Sequence, residues 1–121
     1  MAHSHGNDEN KVRESLPTAS DSERVAACFS KLGDGTRLRI FCVLCHNEEC
    51  VTNLAAIIGM SSPAVAHHLR LLKDANLVVS RRVGKEMHYR IADTDIAVEI
   101  HKSMDALFHT TCNISRGSKY R

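Results

Sequence analysis

The sequence predicts a mainly helical domain with a β-hairpin inserted before its last helix. Three observations predict it. Apolar residues recur at helical spacing in four segments between residues 20 and 75. Residues 77–91 alternate instead, around the turn Val83-Gly84-Lys85. A last helical pattern, Ile96, Ile100, Met104, Leu107 and Phe108, follows the capping run Asp93-Thr94-Asp95. The 121 residues give room for one ordinary domain. Aromatic residues are 4% and Trp is absent, so its core must be mainly aliphatic.

Residues 1–19 are polar and aperiodic, with Gly6, Asn7, Asn10 and Pro17, and are expected to be a flexible tail. The ordered domain is expected over 20–112, beginning at the N-capping residues Ser20, Asp21 and Ser22. Its first helix carries Val25, Cys28, Phe29 and Leu32 on one face and stops at Gly33. The second starts after Asp34-Gly35, with Leu38, Phe41, Cys42 and Cys45 on one face and Ile40 and Leu44 beside them. His46-Asn47-Glu48-Glu49 breaks that pattern. A short helix over 52–58 ends at Gly59. Met60-Ser61-Ser62-Pro63 then combines a Ser N-cap with Pro at the helix start, and the helix runs to about residue 75 with Val65, Leu69 and Leu72 inward. Asn76 suits its C-terminal end. Strands over 77–82 and 86–91 form the hairpin, and the final helix runs to about residue 109. A short basic tail, 113–121, is expected to be flexible.

No apolar run reaches the roughly 18 residues a membrane helix needs, and MAHSHGNDENK has no secretory apolar stretch. A cytoplasmic location without membrane contact follows as the expectation. The five cysteines then read as free thiols, metal ligands or redox centres, not as a disulfide framework. No nucleophile elbow, phosphate loop or HExxH occurs, and the chain is expected not to be an enzyme. Net charge is only +2, but it is unevenly spread. Between 61 and 92, six cations (Arg70, Lys73, Arg81, Arg82, Lys85, Arg90) face two acids (Asp74, Glu86), a net of +4. Between 93 and 109, Lys102 faces Asp93, Asp95, Glu99 and Asp105, a net of −3. The two blocks suggest two surfaces with different partners.

Two short helices, a serine-rich turn and a basic hairpin make a winged helix-turn-helix. A helix that enters the major groove needs short polar residues at its start. Ser61 and Ser62 supply hydroxyls and helix-terminal N–H groups that favour phosphate. Ala64, His67, His68 and Arg70 lie on the outer face, and Arg81, Arg82 and Lys85 can reach flanking phosphates or the minor groove. The expected partner is double-stranded operator DNA. The alternative is a solvated helix and a charged hairpin with no such role.

Five stretches carry a family resemblance. Leu32-Gly33-Asp34-Gly35-Thr36-Arg37-Leu38-Arg39-Ile40 resembles the "LADPTRLRIL" opening of the ArsR/SmtB winged-helix repressors. Glu49-Cys50-Val51-Thr52-Asn53-Leu54-Ala55 resembles their "ELCVCDLA", and 61–72 resembles "SQSAVSHHLRLL", with Ala66 where the family often has Ser. Gly84-Lys85 and Tyr89-Arg90-Ile91-Ala92-Asp93 resemble the wing and its exit. The resemblance covers roughly residues 22–109. It implies a homodimer paired through terminal helices that represses transcription and leaves its operator when an inducer binds.

The resemblance offers three candidate sensing sites, the second and third as alternatives to the first. The first is an interhelical metal site on the last helix, where Asp93 and Asp95 of one protomer would face His109 and Asp105 of the other, with His101 near its own copy. Ala106 replaces one usual ligand. Carboxylate and imidazole together suit a divalent transition metal such as Zn, Ni or Co. The alternative is that Asp93 and Asp95 are only helix caps. The second site is His3, His5 and Cys50, where Thr52 replaces the family's second cysteine. The third is a redox or persulfide switch between Cys42 and Cys112. A buried helical Cys such as Cys42 is otherwise a small hydrophobe, and Cys28 and Cys45 read as core.

Overall fold

The computed structural model describes residues 6–112. Six helices and three short strands follow one another as α1 (Gly6–Ser15), α2 (Ala19–Leu32), α3 (Gly35–Leu44), β1 (Glu49–Cys50), α4 (Val51–Ile58), α5 (Ser62–Asp74), β2 (Val78–Val83), β3 (Glu86–Ile91) and α6 (Asp95–Cys112) among the described residues. None of these helices is long and apolar enough to cross a membrane.

Side-chain caps set the helix starts. Thr18, not Ser20 or Ser22, caps α2, its Oγ1 accepting from the Asp21 N–H at 3.0 Å. Asp34 caps α3 by accepting from Arg37 N–H at 2.9 Å. That bond from the Arg37 backbone, the largest cause, holds the Asp34 carboxyl below its usual range. Ser61 caps α5 through the Ala64 N–H, and Thr94 receives the Ala97 N–H at 3.3 Å. α4 ends at Gly59, whose φ of 82° is the left-handed conformation that glycine adopts without a Cβ penalty. Asn76, at φ 60°, takes the same conformation after α5.

The expected aperiodic N-terminal segment instead contains α1. Its described side chains are exposed, so charge favours it more than packing does. Asp8 and Glu9 sit in the first turn, Arg13 in the last, and Arg13 pairs with Glu9 at 3.8 Å. Residues 1–5 and 113–121, including the rest of both expected tails, lie outside the described residues.

The core joins α3, α4, α5 and the base of the hairpin. Ile40, Phe41, Leu54, Val65, Leu69, Leu72 and Leu77 are fully buried, and Met104 brings in α6. Fully burying such a side chain contributes about 1.5–3 kcal/mol. The aliphatic expectation holds, with Phe41 as the buried aromatic among the described residues. The hairpin is not two-stranded. β1 adds to the outer side of β3, giving the antiparallel order β1-β3-β2. As the central strand, β3 has Met87 to Ile91 all half-buried, and the expected alternation is blurred.

α2 has the expected helical period, yet none of its residues is buried. Phe29 is 72% exposed, and Leu107 on α6 is 61% exposed. Between the two helices lies an apolar groove of about 510 Å³, lined by Val25, Phe29, Leu38, Ile96, Ile100 and Leu107 among others.

Candidate functional site

α4, the turn over residues 59–61 and α5 form the helix-turn-helix, and the β2–β3 hairpin follows immediately. Burial of Val65, Leu69 and Leu72 fixes the rotation of α5. That rotation leaves Ser61, Ser62, His67 and Arg70 exposed, whereas Ala64 is half-buried and His68, expected on the outer face, is half-buried beside Arg37 of α3. Ser61 has a second task there, since its hydroxyl caps the helix. Arg82 and Lys85 are exposed near the hairpin tip, where Gly84 turns at φ 64°.

Arg81 differs from its neighbours. Its Nε and Nη2 donate to Glu48 at 3.0 and 2.7 Å, a two-pronged pair across the sheet. His88, opposite Arg81 in the ladder, approaches the same carboxylate at 3.5 Å and Glu86 at 3.8 Å. The Arg81 hydrogen bond, the largest cause, holds the Glu48 carboxyl below its usual range. Any phosphate that met Arg81 would therefore have to compete with Glu48 for it. Sequence reading missed Glu48, because only the β1–β3 pairing brings it near a residue 33 positions away.

The residues expected to bind metal are spread along α6. Asp93 precedes the helix and pairs with Arg90 at 3.1 Å, and Asp95 is exposed in the first turn. His101 and Asp105, one turn apart, approach to 3.8 Å, and His109 is exposed near the helix end. The His101 ring meets His46 edge-on at 5.3 Å between centroids. Its Nε2 atom is buried and has no hydrogen-bond partner among the described residues. Within one chain, no three His, Cys, Asp or Glu side chains among the described residues are grouped to hold a metal ion.

The alternative sites fare differently. His3 and His5 lie outside the described residues. Cys50 is buried, and its Sγ caps α4 by accepting from Asn53 N–H at 3.5 Å. Cys42 is 5% exposed, whereas Cys112 is exposed. Burial first, then the charge of Asp105, pushes the Cys42 thiol up to about 12 from 9.0. Burial, then Cys42, then Asp105 takes Cys45 to about 12 as well. The thiolate is the nucleophile, so this environment disfavours a reactive Cys42. Cys112 is expected to be alkylated by iodoacetamide at pH 8 well before the buried Cys42 and the half-buried Cys45, as peptide mapping would reveal; equal rates would contradict this difference in exposure. The sign of the pH effect also follows. Below 9.0 both thiols are neutral folded or unfolded and cost nothing, and between 9.0 and about 12 only the unfolded chain ionises them. Chemical denaturation is expected to detect falling stability across that window, less so in Cys42→Ser.

Residues 34–80 match the family model described as bacterial regulatory protein, arsR family. A transcriptional repressor SmtB homolog from Synechocystis is 37% identical over 86 residues, which is 71% of this chain and 65% of that protein. The cadmium resistance transcriptional regulatory protein CadC homolog of Staphylococcus aureus is 33% identical over 100 residues, 82% of both chains. Among solved structures, the homodimeric winged helix-turn-helix DNA-binding domain Mb0332 of Mycobacterium bovis aligns with a TM-score of 0.70 and 26% identity, covering 95% of this chain and 97% of that one.

Proposed function

The chain belongs to the ArsR family of bacterial regulatory proteins, DNA-binding transcription regulators and not enzymes, and on that premise we propose that it is a homodimeric repressor released from operator DNA by a divalent transition metal ion. The observation that carries this reading is the junction of two surfaces. A basic helix and hairpin built to meet a duplex run directly into the acidic helix α6, where the His101 Nε2 atom is buried without a hydrogen-bond partner among the described residues, 3.8 Å from the Asp105 carboxylate.

The occupant proposed for the α2–α6 groove is a second copy of the chain. A face with helical period but no burial inside one chain is what an obligate partner covers. The homodimeric solved relative supports this. Two-fold pairing presents two α5 helices to half-sites about one helical turn apart. It also brings α6 of one protomer against α6 of the other, so ligands spread within one chain are gathered across the interface. Asp93, Asp95, His101, Asp105 and His109 would hold the ion, as the mixed donor set suits Zn, Ni or Co. A bound ion would supply the positive charge that lets these groups come together. The cadmium-resistance relative supports a metal inducer without naming this chain's ion. By linkage, DNA must weaken metal binding by the factor with which metal weakens DNA binding.

Competition titration of the reduced protein with Zn, Co and Ni, on wild type and His109→Ala, tests the site. Tight binding that the variant loses is the expected result. Tight binding that survives would relocate the site to His3, His5 and Cys50. Absence of tight binding to wild type would overturn the metal reading and return the search to Cys42 and Cys112.

A further inference from the structure

We propose that Arg37 is a positioning residue for DNA reading: it fixes the tautomer of His68, so that α5 presents a ring N–H donor to the duplex. The inference rests on the reading that α5 meets DNA.

Arg37 lies in the first turn of α3, outside the helix-turn-helix itself. Its backbone N–H is held by Asp34, and its Nε donates to the Lys31 carbonyl in the last turn of α2. With the side chain anchored at both ends, Nη1 reaches to 3.5 Å from Nδ1 of His68. One planar group thus joins α2, α3 and the half-buried flank of α5 that carries His68. A guanidinium stays protonated and has donors only. The contact is a hydrogen bond only if His68 Nδ1 offers its lone pair. The ring proton then sits on Nε2, at the end of the ring away from Arg37. A proton on Nδ1 would set two donors against each other.

The consequence is a restricted reading head. An Nε2–H donor matches acceptors: phosphate oxygens, O6 and N7 of guanine, N7 of adenine or O4 of thymine. It does not match the amino groups of cytosine or adenine. Lysine cannot replace Arg37, since one ammonium on a flexible stem does not hold the Lys31 carbonyl and His68 in the same planar geometry.

Long-range proton–nitrogen NMR on the full-length wild-type chain, with the His68 signals assigned through His68→Gln, reads the tautomer directly at pH above 7. A single Nε2–H form is expected, relaxing towards the mixture of free histidine in Arg37→Lys. A wild-type Nδ1–H form, or a free-histidine mixture, would overturn the proposal whatever the variants do. Binding is then measured on a duplex that the protein selects from a random pool. Arg37→Lys is expected to lose roughly 5–10-fold in affinity with little change in melting temperature, and to lose nothing further in a His68→Ala background. Losses that multiply independently would also overturn it. If wild type selects no duplex, the DNA reading itself fails, an outcome separate from a wrong tautomer on a protein that binds.

Discussion

Replacing Arg81, Arg82 and Lys85 together by alanine is expected to weaken duplex binding by roughly 10²–10³-fold at moderate salt. Each protomer loses three cations and the dimer six. Every phosphate contact removed lowers the steepness of log affinity against log salt by about 0.9. The salt dependence is therefore expected to flatten markedly, which a titration at several salt concentrations measures. Folding should survive, because all three side chains are exposed and none belongs to the core. The three residues are not equivalent. Arg82 and Lys85 are expected to account for more of the loss than Arg81, which must first leave Glu48. Glu48→Gln is correspondingly expected to strengthen binding by releasing Arg81. An unchanged salt slope in the triple variant would show that the hairpin does not touch phosphate.

Leu107→Asp carries the second large effect. Leu107 is 61% exposed in one chain, so the change is expected to leave the monomer folded. In a two-fold dimer each substitution acts twice, and two carboxylates would enter the apolar groove without partners. The dimer dissociation constant is expected to rise at least about 1,000-fold, which corresponds to about 4 kcal/mol. Analytical ultracentrifugation would detect monomer at micromolar concentration, with unchanged helix content. Operator affinity should collapse in parallel, since a monomer engages one half-site. A variant that remains dimeric would place the interface elsewhere.

What could be read from the sequence was mainly local. Gly59, Ser61, Pro63 and Asn76 act within a turn of their own helix, so the boundaries of α4 and α5 follow from residue chemistry alone. Val65, Leu69 and Leu72 repeat at helical spacing and are buried as their period demands. The hairpin was legible from its turn and alternation. β1 was not, because two residues carry no period and their pairing with β3 is non-local. The Glu48–Arg81 pair was hidden for the same reason. α1 was hidden because it has no apolar face to detect, only charges placed favourably along its axis. Val25 and Phe29 gave the right helix but not what covers its apolar face: periodicity marks a face to be covered without saying what covers it. The residues expected to bind metal lie on α6 or, for Asp93, just before it, and within one chain only His101 and Asp105 among them come close together. No spacing within a single sequence fixes the register of two such helices.

The central claim is that α5 and α6 belong to one coupled device, in which a ligand on the terminal helices governs the grip on DNA. Its most direct test is a titration of the reduced dimer with its selected duplex, in chelator and then with saturating Zn, Ni or Co. At least one of the three ions is expected to weaken binding by about 5–150-fold, the usual range of allosteric coupling, and the duplex to weaken binding of that ion by the same factor. Identical duplex affinity in chelator and with each ion would contradict it.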